Sequence, residues 1–172
     1  MRCTMPPSTP SRAPTHPFLG LAGWLVLCFT AAAIGGLASA NAGEFYSQLN
    51  RPPWAPPSWL FAPVWTLLYA MMAVSAWMVW TERGWTKARI PLRLFVVQLV
   101  ANALWTWLFF EWHLGAVAFG EIVALWLLIA GTALMFWRIH KLAGALMLPY
   151  LAWVSFAAAL NFALWQGNPQ IL

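Results

Sequence analysis

Few residues in this chain could carry acid–base or nucleophilic chemistry. It has four acidic side chains, Glu44, Glu82, Glu111 and Glu121, no Asp, and His only at positions 16, 113 and 140. Cys3 lies in a polar leader and Cys28 in an apolar run, which fits neither a disulfide framework nor a metal-binding pattern. No nucleophile–base pair, metal cluster or cofactor fingerprint is visible, so no catalytic residue, metal or required cofactor is expected. The informative polar groups sit inside apolar runs. Gln98 and Asn102 fall at i, i+4, and Trp105 and Phe109 continue that helix face. Trp65 and Tyr69 share a second run, Glu121 sits in another, and Tyr150, Trp153 and Asn161 share the last. Polar side chains in hydrocarbon are costly and face a neighbouring helix or a cavity. Indole and phenol rings offer broad flat surfaces with one donor each. Together these residues suit a planar, mostly apolar ligand with a few polar edges, and on this argument tetrapyrroles and sterols both qualify.

The elements that must position these groups follow from composition. Of 172 residues, 62% are hydrophobic and only 8% charged, against about 25% charged in a soluble domain. That excludes an ordinary water-soluble fold and predicts an integral, multi-pass protein whose solvent is the lipid bilayer. Five apolar stretches, near Phe18–Ala40, Trp59–Thr81, Pro91–Phe110, Gly115–Arg138 and Gly144–Gln166, each hold about the 20 residues a spanning helix needs. Lipid leaves backbone amides no other partner, so all five are expected to be α-helical. The organisation expected is a Pro/Ser/Thr-rich disordered leader over 1–17 and one transmembrane domain over 18–172. "GLASANAG" after the first run resembles a signal-peptidase site, but the run exceeds the 7–15 apolar residues of a signal sequence, so an uncleaved span is expected.

Charge predicts orientation. With five spans, Arg2, Arg12, Arg83, Lys87, Arg89, Arg93, Arg138 and Lys141 share one side and only Arg51 lies on the other. Cytoplasmic loops retain Lys and Arg, so the N-terminus is expected inside and the C-terminus outside. The basic residues are thereby accounted for by topology, and no nucleic-acid partner is expected. Trp24, Trp80, Trp85, Trp112, Trp137 and Trp165 fall near span ends and read as interfacial belt residues. From the alternating helix directions and about 1.5 Å rise per residue, Trp65, Asn102, Trp105 and Asn161 gather in the outer half, with Trp153 near the midplane. At the same end lies "RPPWAPPSWLFAPVWTLLY", residues 51–69, with five prolines. Pro52, Pro53, Pro56 and Pro57 fix φ and exclude helix from the residues before them. Loop 41–58 is therefore expected to cap a pocket as a stiff extended cover carrying Trp54 and Trp59. The expected ligand-binding set is Trp54, Trp59, Trp65, Tyr69, Gln98, Asn102, Trp105, Phe109, Glu121, Trp153 and Asn161.

The segments "RPPWAPPSWLFAPVWTLLYAMM", "NALWTWLFF", "GEIVALW" and "PYLAWVSFAAALN" resemble, in order, the tryptophan-rich sensory protein (TspO) or translocator protein family, once called peripheral benzodiazepine receptors. The resemblance implies a five-helix bundle, commonly a homodimer, whose cavity is covered by the first inter-helix loop. It implies a receptor or sensor for porphyrin-type tetrapyrroles, protoporphyrin IX or haem, and for isoquinoline or benzodiazepine ligands, acting in tetrapyrrole metabolism or stress signalling. It implies that Trp65 in "PVWT" and Asn102 in "NALW" can hydrogen-bond ligand. It also implies that Trp65 and Trp153 in "PYLAW" act wherever light-dependent porphyrin degradation occurs. The cholesterol motif of animal members is missing, since "LNFALWQGN" has Phe162 and no basic residue, which tells against sterol recognition. A transporter is the alternative class, but no inverted repeat is visible and five spans do not divide into equal halves. Helical spans argue for a bacterial inner membrane, and the resemblance leaves an outer membrane open.

Overall fold

The computed structural model describes residues 17–172. The leader expected over 1–17 lies, but for its last residue, outside them. The order is α1 (Pro17–Ala38), α2 (Ala42–Gln48), a 3-10 turn (Ser58–Leu60) running into α3 (Phe61–Lys87), α4 (Arg89–Thr106) ending in a π turn (Trp107–Glu111), α5 (Gly115–Ile139), α6 (Lys141–Leu146) and α7 (Leu148–Gly167). Five of these segments are long and apolar enough to cross a membrane: Phe18–Ala38, Ser58–Lys87, Arg89–Glu111, Gly115–Ile139 and Lys141–Gly167. The chain is thus an all-α, integral multi-pass membrane protein, and the described residues form no strand.

Several boundaries depart from the sequence expectation for local reasons. The second span continues past Thr81 to Lys87 through a break at Gly84, where φ is 68° and ψ 168°. Only glycine takes that backbone without strain, and the break lets the chain reverse directly into α4. The fifth span is two helices. Pro149, at the start of α7, has no N–H to give to the preceding turn, so Met147 separates α6 from α7.

The core runs along the bundle axis. Met72, Phe95, Ile122, Ile129, Phe136, Met147 and Tyr150 are fully or almost fully buried, while Val26, Val100, Val117 and Leu127 face outward toward lipid. Helices approach closely where glycine permits: a Cβ on Gly20 would overlap the Trp80 ring. Trp24, expected in the interfacial belt, is instead buried, stacked on Trp85 at 6.4 Å and edge-on to Phe95 at 5.7 Å. Its position near the span end is interfacial in depth, but its face of α1 points into the bundle. Trp85, Trp112 and Trp137 are about half exposed, as belt residues should be.

Candidate functional site

A cavity of about 530 Å³ opens between α1, α3, α4 and α7 at the end of the bundle that carries α2. That volume lies within the range of small-molecule sites. The wall is mainly aromatic. Phe29 comes from α1, Phe61, Trp65 and Tyr69 from α3, Trp105 from α4 with Phe110 in its π turn, and Trp153 from α7. One face is smooth, because α1 presents Ala32, Gly35 and Gly36, and the turn after it Ser39. Gly35 is taken up within the molecule: a Cβ there would stand 3.2 Å from Thr106 Oγ1. Gly36 faces open space.

A polar seam runs behind the rings. Tyr69 Oη donates to Asn102 Oδ1 at 2.6 Å, and Asn102 Nδ2 donates to Tyr150 Oη at 3.0 Å. One carboxamide thus joins α3, α4 and α7 while lining the cavity. Farther along α4, Trp105 Nε1 donates to Asn161 Oδ1 at 3.1 Å, and Asn161 Nδ2 donates to the Gly115 carbonyl at 3.1 Å. These bonds hold Trp105 flat, with Phe109 stacked on it at 5.5 Å. Trp65 leans on Tyr69 at 5.7 Å and on Tyr150 at 6.1 Å. Trp153 is wedged between Phe61 at 5.9 Å and Phe156 at 5.5 Å. Trp126 ties α5 to α7 by donating to Ser155 Oγ at 2.8 Å.

Of the residues expected to meet a ligand, Trp59, Trp65, Tyr69, Asn102, Trp105 and Trp153 line the cavity. The other five do not reach its wall. Trp54 is half exposed and packs on Phe156 at 5.9 Å, outside the cavity. Phe109 stands behind Trp105. Asn161 is spent on Trp105 and Gly115. Gln98 is fully buried one turn deeper, its Nε2 3.9 Å from Met72 Sδ. Glu121 sits on α5, which contributes nothing to the wall. Helix spacing put Gln98 on the same face of α4 as Asn102, but its depth along that face keeps it from the cavity. Gln98 Oε1, Glu121 Oε2 and Trp153 Nε1 are buried without a hydrogen-bond partner.

The cover differs from the extended strap expected over 41–58. Seven of its residues form α2, which begins right after the turn that ends α1. Its Ala42, Gly43 and Tyr46 form part of the cavity wall, together with Ser58 and Trp59. The prolines lie farther out, and Pro52, Pro53 and Pro57 line a separate shallow cup with Asn50 and Arg51. Tyr46 was not anticipated. Its Oη donates to the Pro56 carbonyl at 3.1 Å, bracing α2 against the proline segment. The Arg51 guanidinium lies 5.0 Å over its ring. Burial raises the Tyr46 phenol above its ordinary pKa, with Arg51 opposing, so the hydroxyl stays a donor at neutral pH. Phe45 anchors α2 to the body, stacking on His113 at 4.4 Å and meeting Phe109 and Phe110 edge-on at 6.3 Å. His113 itself holds a left-handed φ of 53°, which aims its ring back at the cover.

Five apolar spans, four of which enclose a covered, aromatic-walled cavity, define a helical, multi-pass membrane protein with a small-molecule-sized hollow at one end. The chain belongs to the TspO/MBR family, whose model matches residues 24–166. It is similar to tryptophan-rich protein TspO of Chlorobaculum tepidum, 40% identical over 84% of this chain and 96% of that protein. It is likewise similar to protein CrtK of Rhodobacter capsulatus, 38% identical over 85% of this chain and 91% of that one. The translocator protein of Ovis aries is 38% identical over 73% of this chain and 75% of its own length.

Proposed function

We propose that this protein is a membrane receptor that binds a porphyrin-type tetrapyrrole, protoporphyrin IX or haem, in the covered cavity and serves as a sensor in tetrapyrrole metabolism. The observation that carries the reading is the wall: Trp65, Tyr69, Trp105, Trp153, Phe29 and Phe110 surround one hollow with its polar seam largely spent on internal bonds. A flat macrocycle gains stacking area from such rings on several sides. A rigid, pre-formed wall loses little entropy on binding. Isoquinoline- and benzodiazepine-like ligands suit the same surfaces. The test is titration of purified protein with protoporphyrin IX, read by tryptophan fluorescence. Saturable quenching in the dark with porphyrin recovered intact supports a receptor, and linear, unsaturable quenching refutes it.

A second reading is favoured by the presence of both Trp65 and Trp153 on the wall. There an excited porphyrin would meet indoles at contact distance, and light would consume it. For orientation, Arg83, Lys87, Arg89, Arg93, Arg138 and Lys141 lie at the bundle end opposite the cover, and Arg51 at the cover end. We accordingly place the cover outside the cytoplasm, in a bacterial inner membrane. For self-association, Ala116 and Gly120 of α5 are exposed and Gly120 has open space beside it. This small-xxx-small pair is free to receive a second copy as a homodimer. Cysteine cross-linking at Gly120 in membranes tests that arrangement, and a monomer at every oxidant concentration refutes it.

A further inference from the structure

We infer that Asn168 is a latch that holds the cavity's cover closed and so sets how fast ligand enters and leaves. The inference rests on the proposed ligand site and adds to it a control point outside the cavity wall. Asn168 caps the end of α7 and is buried. Its carboxamide is used at both ends. Oδ1 accepts the Asn50 N–H at 2.7 Å, while Nδ2 donates to the Asn50 carbonyl at 3.2 Å and to the Leu164 carbonyl at 2.8 Å. One side chain therefore pairs with both backbone groups of Asn50, much as a neighbouring strand would, across 118 positions of sequence.

Three further features give this pairing its weight. First, among the described residues, the bonds to Asn168 are the only hydrogen bonds that tie segment 49–57 to a sequence-distant helix end; the other bonds of the cover, Tyr46 to Pro56, Ser47 to Glu44, Ala55 to Pro52 and Leu60 to Pro57, are local to it. Second, the proline-rich stretch cannot build a ladder of its own, since Pro52, Pro53, Pro56 and Pro57 carry no N–H. Third, the latch is mounted on a fixed base. The Asn168 carbonyl accepts the N–H groups of both Ile171 and Leu172 at 3.0 Å, and the Leu172 side chain reaches Gly115 at the start of α5. Gly167 lies directly against the cover, where a Cβ would stand in van der Waals contact, 3.4 Å from the Asn50 carbonyl.

Release of Asn168 leaves segment 49–57 held at its start by the buried Leu49, and farther along by Ala55 packed on the core, by the Trp54–Phe156 contact and by its bond to Tyr46. Phe45 would still anchor α2. The segment between Leu49 and Ser58 then loosens, its hold on the wall residue Tyr46 through Pro56 loosens with it, and the cavity mouth opens more often. Because the wall residues are untouched, entry and exit speed up together and equilibrium affinity changes much less than either rate.

The experiment uses the full chain in lipid nanodiscs with protoporphyrin IX as probe. In Asn168→Ala, association and dissociation by stopped-flow tryptophan quenching should each rise about tenfold, as for one net hydrogen bond removed. Amide exchange should rise across 49–57 and stay unchanged in α3, α4 and α5. Unchanged rates and unchanged exchange at 49–57 would overturn the latch and leave Asn168 as a helix cap only. A reversible lock guards against general damage to α7: Asn50→Cys with Asn168→Cys, in a Cys3→Ser, Cys28→Ala background. Oxidised protein should release porphyrin at the slow wild-type rate or below, and the same sample after reduction about tenfold faster. Equal rates before and after reduction would refute the proposal. If wild-type protein binds no porphyrin, the ligand reading fails, while exchange at 49–57 still decides whether the latch exists.

Discussion

Tyr69 and Asn102 are joined by a 2.6 Å hydrogen bond between two spans, and the same carboxamide continues to Tyr150 on a third. Asn102 is therefore both part of the cavity wall and the fastening that sets the wall's geometry. Its expected place at the ligand site and its role in tying three helices together are compatible.

Asn102→Ala should accordingly lower stability before any ligand is considered. It strips the partner from two buried hydroxyls, at an expected cost of about 1–3 kcal/mol for the stranded groups. A double-mutant cycle with Tyr69→Phe, read by thermal denaturation in detergent, should show non-additive losses. Strict additivity would mean that the bond contributes nothing. Porphyrin affinity should fall by an order of 1 kcal/mol if the remaining Nδ2 hydrogen meets ligand.

Gly20 is a packing requirement rather than a spacer. A side chain there must displace the Trp80 ring, and overpacking of this kind costs about 1–3 kcal/mol. Gly20→Ala should lower the melting temperature measurably, and Gly23→Ala, where nothing lies within reach, should not. Equal effects would indicate that helix propensity, not the Trp80 contact, governs α1.

Trp153 offers a separate test of the photochemical reading. Illuminated wild-type protein should lose the porphyrin Soret band, the dark control should keep it, and Trp153→Phe should lose it at least several-fold more slowly while still quenching on titration. Soret loss at the wild-type rate in the variant would remove Trp153 from that chemistry.

Much of this architecture was legible in the residues themselves. Apolar length fixes five spans, because lipid forces helix on any segment of that length and polarity. The i, i+4 relation of Gln98 and Asn102 put them on one face, and α4 presents that face to the bundle. Which of them touches the cavity depended on how deep the hollow between α1, α3, α4 and α7 reaches, and no periodicity within α4 carries that information. Trp24 was misplaced for a related reason: depth is readable from sequence, but the rotation of α1 is set by small residues at its contacts, such as Gly20 against Trp80. The cover was read from its prolines, which do exclude helix over 50–57. Ala42–Gln48, free of proline, folded into α2 instead. Asn168 had no local signal, since its partner Asn50 lies 118 residues away.

The most direct test of the central claim, that the aromatic hollow is the ligand site, is to plug it from a helical wall position with room. Gly36 lines the cavity, and a Cβ there would touch nothing, so Gly36→Leu should fold like wild type while occupying ligand space. Titrated side by side with protoporphyrin IX, haem and cholesterol, wild-type protein should show saturable quenching with the two tetrapyrroles and none with the sterol. Gly36→Leu, with an unchanged melting temperature, should bind the tetrapyrroles at least about tenfold more weakly, a loss of about 1.4 kcal/mol. Tetrapyrrole affinity unchanged in the plugged protein would place binding elsewhere and contradict the account.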